Sequence, residues 1–373
     1  MVSLMDERPV RIVVAAQAFA RPATHPSLAA NRPGRLIMHS DHTTPKGQLH
    51  TMFVDSEAIA NNRLGEPLRR RVDVYIPDGH DGSGLPLLVD LVGFTGSGLG
   101  HVAWKNFGEN VPERADRLIA TGVMKPAVIA FPDCFTRLGG NQYVNSAAMG
   151  NWDDFLVEEM LPAIETRFGC GGTGHRGVFG KSSGGYGAIM HAMIHPDIWA
   201  GAVCHSGDMG FELSFASDFA HTLRRIDKHG GTIRSFMEAF EAAPKVSGDD
   251  LHALMTLAMG ATYDPDPRGY LGMSLPVTMD TCEIIPERWA EWMKWDPLDM
   301  VERHGEGLKQ LKALMIDCGD IDQYNLLYGA RRMTAKLTEL GVEHRYEEFP
   351  DTHSSIDYRM DVSLPFLAER LSR

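Results

Sequence analysis

Gly180-Lys181-Ser182-Ser183-Gly184 sets a serine between glycines two residues to either side. A short apolar run, 177–179, precedes it, and a small-residue segment, 185–192, follows. A strand, a tight turn and a helix in that order would thrust the Ser182 hydroxyl out of the chain. The glycines let such a turn close without Cβ clashes. The start of the helix would bring free N–H groups and a positive dipole end to where negative charge develops. The chemistry this suits is nucleophilic attack. A serine hydroxyl is a poor nucleophile at neutral pH, so it needs a base, and the base needs an orienting acid.

When such an elbow belongs to an open α/β sheet, the partners follow in the order Ser, then Asp or Glu, then His. The late part of the chain supplies both. His353 lies in the loop Pro350-Asp351-Thr352-His353-Ser354-Ser355, after a predicted strand at 344–349 and before the last helix. Ligands bind at that carboxyl end of an open α/β sheet. Of the 16 histidines it is the choice for the base. The acid comes from Asp317-Cys318-Gly319-Asp320-Ile321-Asp322, after a predicted strand at 311–316. Asp322 is preferred and Asp320 is the runner-up, while a helix N-cap is the competing role for Asp322.

An oxyanion hole needs two backbone N–H groups. Ser183 should give one. Phe94, in the glycine-rich loop Gly93-Phe94-Thr95-Gly96-Ser97-Gly98, should give the other. That loop lacks the Gly-Lys-Ser/Thr ending of a phosphate-binding loop. Tyr143 and Asn145, in a loop after a strand end, are candidate substrate contacts. Asp208, which follows the strand beside the elbow, is a third; its carboxylate would favour substrates carrying an amine or hydroxyl near the scissile bond.

The elements that must position these residues alternate. Strands are predicted at 35–40, 71–77, 87–92, 127–131, 177–179, 200–204, 311–316 and 344–349. Helices are predicted at 152–168, from the elbow to about 195, at 323–340 and at 355–371. That alternation gives an α/β fold with a mainly parallel, twisted sheet covered by helices on both faces. Between about 209 and 307 the rhythm breaks into helical patches at 214–226, 232–240, 251–258 and 287–294. A structureless loop of that length is improbable, so a helical, lid-like insertion is expected. Trp289, Trp292 and Trp295 in it suit either a pocket wall or the buried stripe of a helix. Residues 1–33 read as an N-terminal extension, and 34–373 as the main domain.

The chain has 373 residues, with 43% hydrophobic and 23% charged, ordinary for a globular protein with a large core. A net charge of −13 speaks against nucleic acid or an anionic membrane as partner. No apolar run reaches membrane-helix length. The five cysteines are scattered and include no C-x-x-C pair, so neither a disulfide framework nor a cysteine zinc site is expected. A cytoplasmic location fits them best. The apolar stretch 10–20 resembles a degenerate signal peptide, but Asp6 and Glu7 precede it and Arg11 interrupts it.

Taken together, these segments resemble the esterase D group of α/β-hydrolases. That group includes S-formylglutathione hydrolases, feruloyl and enterochelin esterases, and the related mycolyltransferases. The resemblance rests on 71–77, Gly93-Phe94-Thr95-Gly96, Gly180 to Gly185, Asp317 to Tyr324 and Asp351-Thr352-His353, and it runs from about 34 to the C-terminus. It implies an α/β-hydrolase fold with nucleophile Ser182, acid Asp322 and base His353. Val92 stands where the group often has histidine, and the segment from Cys204 to Phe211 differs from the formylglutathione hydrolases, as does the long insertion. These departures favour a general carboxylesterase acting on a small-molecule ester through an acyl-serine, with no metal or organic cofactor. Acyl transfer or thioester cleavage with the same triad, and a catalytically silent binding protein, are the alternatives. A homo-oligomer is left open.

Overall fold

The computed structural model describes residues 44–372. The predicted N-terminal extension and the predicted strand at 35–40 lie outside the described residues. Eight strands form the main sheet: β1 (Gln48–Asp55), β2 (Arg69–Ile76), β3 (Leu87–Leu91), β4 (Val128–Pro132), β5 (Arg176–Lys181), β6 (Gly201–His205), β7 (Ala313–Gly319) and β8 (Arg345–Phe349). Their order across the sheet is β1-β2-β4-β3-β5-β6-β7-β8. The contacts of β2 with β1 and β4 are antiparallel, and all others are parallel. Parallel neighbours need crossover connections, and helices supply them on both faces.

The central strands are buried on both faces, and their side chains alternate between two cores. Leu87, Val89 and Leu91 of β3 join the larger core, while Leu88 joins the other. In β7, Leu314, Ile316 and Cys318 face the larger core and Ala313 and Met315 the smaller. Helices α1 (Val111–Ala120) and, at the C-terminus, Met360–Leu371 cover the smaller core. The larger core receives α2 (Leu161–Phe168) with its lead-in Trp152–Met160, the elbow helix α3 (Ser183–Ile194) and the long excursion after β6. The lead-in contains a wider π-type turn, Phe155–Met160, just before Pro162. Proline has no N–H to return to the preceding turn, which favours such a departure.

β1 was not predicted. Only Met52 and Val54 of its eight residues are buried, so the edge strand lacks a strong apolar pattern. The excursion is helical: α4 (Phe219–Lys228), α5 (Ile233–Ala242), α6 (Gly248–Tyr263), α7 (Pro286–Met293) and α8 (Pro297–His304) lie between β6 and β7. Trp292 is fully buried and packs edge-on against Phe215, Phe219 and Tyr263. The buried Asp296 caps α8, accepting from Leu298 N–H at 3.0 Å. Its carboxylate also accepts from the N–H groups of Gly210 and Phe211 at 3.0 and 2.7 Å. One carboxylate therefore ties the end of the excursion to its beginning. Helix α9 (Leu326–Leu340) joins β7 to β8, and Met360–Leu371 is α10.

Candidate active site

The parallel register brings the carboxyl ends of β3, β5, β6, β7 and β8 to one edge of the sheet. Leu91 pairs with Gly180, His205 with both Lys181 and Asp317, and Phe349 with Gly319. Every loop singled out for chemistry starts from this edge.

Ser182 follows β5 directly, with φ 58 and ψ −126. A non-glycine residue rarely takes a positive φ, and the strain persists only where the surroundings fix it. Here Ser182 N–H donates to His205 O at 3.0 Å, and Tyr186 N–H donates to Ser182 O at 2.8 Å. Glycine is required beside it. A Cβ on Gly184 would sit 1.8 Å from Leu91 O, and one on Gly180 would sit 2.2 Å from the same atom. The elbow thus closes against the backbone of β3.

His353 and Asp322 come together from loops after β8 and β7. His353 Nδ1 lies 2.8 Å from Asp322 Oδ2, and both residues are 8% exposed. The other Asp322 oxygen accepts from Tyr324 N–H at 2.9 Å. Gln323 Oε1 accepts from His353 N–H at 2.9 Å and so tethers the base loop to the acid loop. The Tyr324 ring meets the imidazole edge-on at 4.9 Å. α9 begins at Leu326 with Asn325 as its N-cap residue, so Asp322 is not that helix's cap. Asp320 is exposed.

Ser182 and His353 line one cavity of about 320 Å³ together with Gly93, Phe94 and Asp208. Its size is at the small end of ligand pockets. A Cβ on Gly93 would lie 3.4 Å from Ser182 Cβ, so the glycine-rich loop passes directly over the serine. The N–H groups of Phe94 and Ser183 are engaged by no other described residue. Phe94 O accepts from Gly140 N–H at 2.6 Å, which fixes the loop from behind. The excursion closes the cavity with Phe215 and with Met255 of α6.

Asp208 is buried, and its Oδ2 accepts from Gln142 Nε2 at 3.0 Å and Ser183 Oγ at 3.4 Å. Burial raises its carboxyl above the usual range, against the pull of the Gln142 hydrogen bond. Lys181 also lines the cavity, and burial lowers its ammonium from the ordinary value.

Two expected substrate contacts are corrected. Tyr143 is 2% exposed and its hydroxyl donates to Val92 O at 2.6 Å, so it braces the loop from inside. Asn145 Nδ2 donates to Asp154 Oδ1 at 2.7 Å, and its Oδ1 accepts from Asp153 and Asp154 N–H groups. Neither side chain lines the cavity. Both satisfy buried backbone or carboxylate groups, a role a loop sequence does not reveal. The tryptophans are likewise packing residues and line no part of the cavity. Gln142 and Gln323 were missed. The one available signal for Gln323 was its place next to Asp322.

A sheet of this order, antiparallel at its start and carrying a strained serine after the fifth strand, defines the α/β-hydrolase fold. Known structures agree. A ferulic acid esterase superposes with a TM-score of 0.56 at 18% identity, covering 87% of this chain and 99% of that one. The fluorophosphonate-binding serine hydrolase F of Staphylococcus aureus gives 0.53 at 14% identity, over 87% and 99%. An S-formylglutathione hydrolase of Agrobacterium tumefaciens gives 0.51 at 16% identity, over 91% and 100%. No curated protein sequence matches the chain. The family model described as "Putative esterase" matches residues 63–363, so the chain belongs to that esterase family. It is an ester hydrolase. No helix among the described residues is long and apolar enough to cross a membrane.

Proposed function

We propose that Ser182 is the nucleophile of a carboxylesterase, with His353 as its base, Asp322 as the acid that orients the base, and the Phe94 and Ser183 N–H groups as the oxyanion hole. Ser182 Oγ attacks the acyl carbon while its proton passes to His353. The oxyanion is held by the two N–H groups until the alcohol leaves with the proton from His353. Water then attacks the acyl-serine, giving its proton to His353, and the acid departs as His353 hands that proton back to Ser182 Oγ. Asp322 keeps the imidazole in the tautomer with its proton on Nδ1 and stabilises the imidazolium.

The observation that carries this reading is the 2.8 Å His353–Asp322 pair, whose imidazole lines the same cavity as Ser182. The small cavity and its apolar Phe215 and Met255 walls favour a small or medium acyl group. Asp208 would accept a hydrogen bond from a hydroxyl or amine near the scissile ester. The five unpaired cysteines suit a reducing compartment, which favours the cytoplasm.

A fluorophosphonate probe tests the proposal. One label per chain is expected, with no labelling of Ser182→Ala and a loss of several orders of magnitude in kcat on p-nitrophenyl esters. Labelling that persists at another residue in Ser182→Ala would refute the assignment.

A further inference from the structure

A second cluster lies at the far end of the elbow helix. His191 and His195 are one turn apart on α3 and so share a face. Asp153 faces them from the lead-in to α2. His195 Nε2 is 2.8 Å from Asp153 Oδ1 and 3.0 Å from Oδ2. His191 Nδ1 is 3.5 Å from Asp153 Oδ1. One ligand atom from each of the three residues lies within 4.8 Å of the others.

The protonation pattern at His191 is the unusual feature. Its Nε2 is 2.8 Å from Tyr143 O, and a carbonyl only accepts, so Nε2 carries the proton. In the neutral ring Nδ1 then presents a lone pair. That atom is buried and has no hydrogen-bond partner, in a residue 0% exposed. It is aimed at a carboxylate oxygen, which is also an acceptor. Two lone pairs facing each other in a dry interior are stabilised by a cation between them. The Tyr143 carbonyl supplies the outer hydrogen bond that metal-ligating histidines usually make. Asp154 and Asp197 add negative charge near His195. Tetrahedral zinc with bonds of about 2.0–2.1 Å sets its ligands about 3.3 Å apart, near the 2.8 and 3.5 Å that separate Asp153 Oδ1 from the two imidazoles. Two imidazoles and a carboxylate suit zinc better than magnesium or calcium.

We propose that Asp153, His191 and His195 bind a divalent transition-metal ion, zinc foremost, with water completing its coordination. Binding requires His195 Nε2 to give up its proton, either to Nδ1 of the same ring or to water. The side chain of His195 is 25% exposed, which gives the ion a way in. His191 lies nine residues along α3 from Ser182, about 14 Å at helical rise, so the ion takes no part in ester cleavage. It clamps the elbow helix to the lead-in of α2 and to the Tyr143 segment, whose hydroxyl braces the loop over Ser182.

The test uses the full chain, stripped with a chelator and then dialysed against zinc chloride. One zinc per chain by elemental analysis is expected, with a rise of several degrees in Tm and none from magnesium or calcium. Cobalt(II) should give the visible absorption of a low-symmetry, four-coordinate site. His195→Gln and Asp153→Asn should each weaken zinc affinity by about 10–100-fold. The partly exposed position of His195 makes the first variant the one that keeps its fold. Ester turnover of the stripped protein at room temperature should match the zinc-loaded protein within twofold. Equal zinc uptake by wild type and His195→Gln would mean adventitious binding at other histidines and would overturn the proposal. So would zinc uptake without any rise in Tm.

Discussion

Replacing Asp322 by Asn separates orientation from charge with almost no change of shape. Asp322 accepts on one oxygen from Tyr324 N–H at 2.9 Å and on the other faces His353 Nδ1 at 2.8 Å. The amide has two orientations. With its oxygen toward Tyr324 it keeps that hydrogen bond and points its NH₂ at His353. Nδ1 must then accept, the ring proton moves to Nε2, and His353 can no longer take a proton from Ser182. The flipped orientation restores the productive tautomer but sets the amide NH₂ against Tyr324 N–H. A buried, unsatisfied donor costs about 1–3 kcal/mol, so the productive form falls to roughly a tenth to a hundredth. Loss of the anion removes a charge-assisted bond to the imidazolium, about 1.5–3 kcal/mol. That is a further factor of roughly 10–100. The two multiply to a kcat lower by about 10²–10⁴. KM and Tm should hardly move, because the substitution is isosteric. Asp320→Asn, at the exposed runner-up position, should stay within about twofold of wild type. The assay is p-nitrophenyl acetate hydrolysis with active sites counted by a fluorophosphonate. A loss below tenfold in Asp322→Asn, or a larger loss in Asp320→Asn, would refute the reasoning.

Gly184→Ala drives a methyl to 1.8 Å from Leu91 O, where no side chain can yield. Destabilisation of about 3 kcal/mol is expected from the displaced backbone, read as a lower urea midpoint with kcat falling in parallel; a wild-type midpoint would contradict the close packing. Asp208→Asn tests a buried acid whose folded pKa is raised. Its contribution to stability is fully present below the unfolded value near 3.8 and is lost as pH rises through the folded value. Asparagine cannot ionise, so the Tm of the variant relative to wild type should climb as pH rises from about 4 and then level off; a flat difference would show that burial does not burden this carboxylate. The same variant should lose more kcat/KM on cationic or hydroxyl-bearing esters than on plain ones, and an equal loss on both would remove Asp208 from specificity.

The sequence alone carried the elbow, because its requirements are local. A turn at positive φ, small flanking residues and an apolar strand are all written within a few residues of Ser182. The order of strands and helices was legible for the same reason: both periodicities are short. The acid was narrowed to Asp322 or Asp320 because both lie in one loop, but only the folded chain separates a buried carboxylate facing His353 from an exposed one. Tyr143 and Asn145 show the limit. Their types and position suit a pocket, yet tertiary packing uses their polar atoms to satisfy buried carbonyl, carboxylate and N–H groups. β1 escaped because an edge strand with one half-buried face has little apolar signal. The strand order, the closing of the excursion by Asp296 and the meeting of His191 with Asp153 all depend on contacts between residues far apart in the chain. Such contacts are fixed by burial and hydrogen-bond satisfaction across the whole molecule, which no short window of sequence contains.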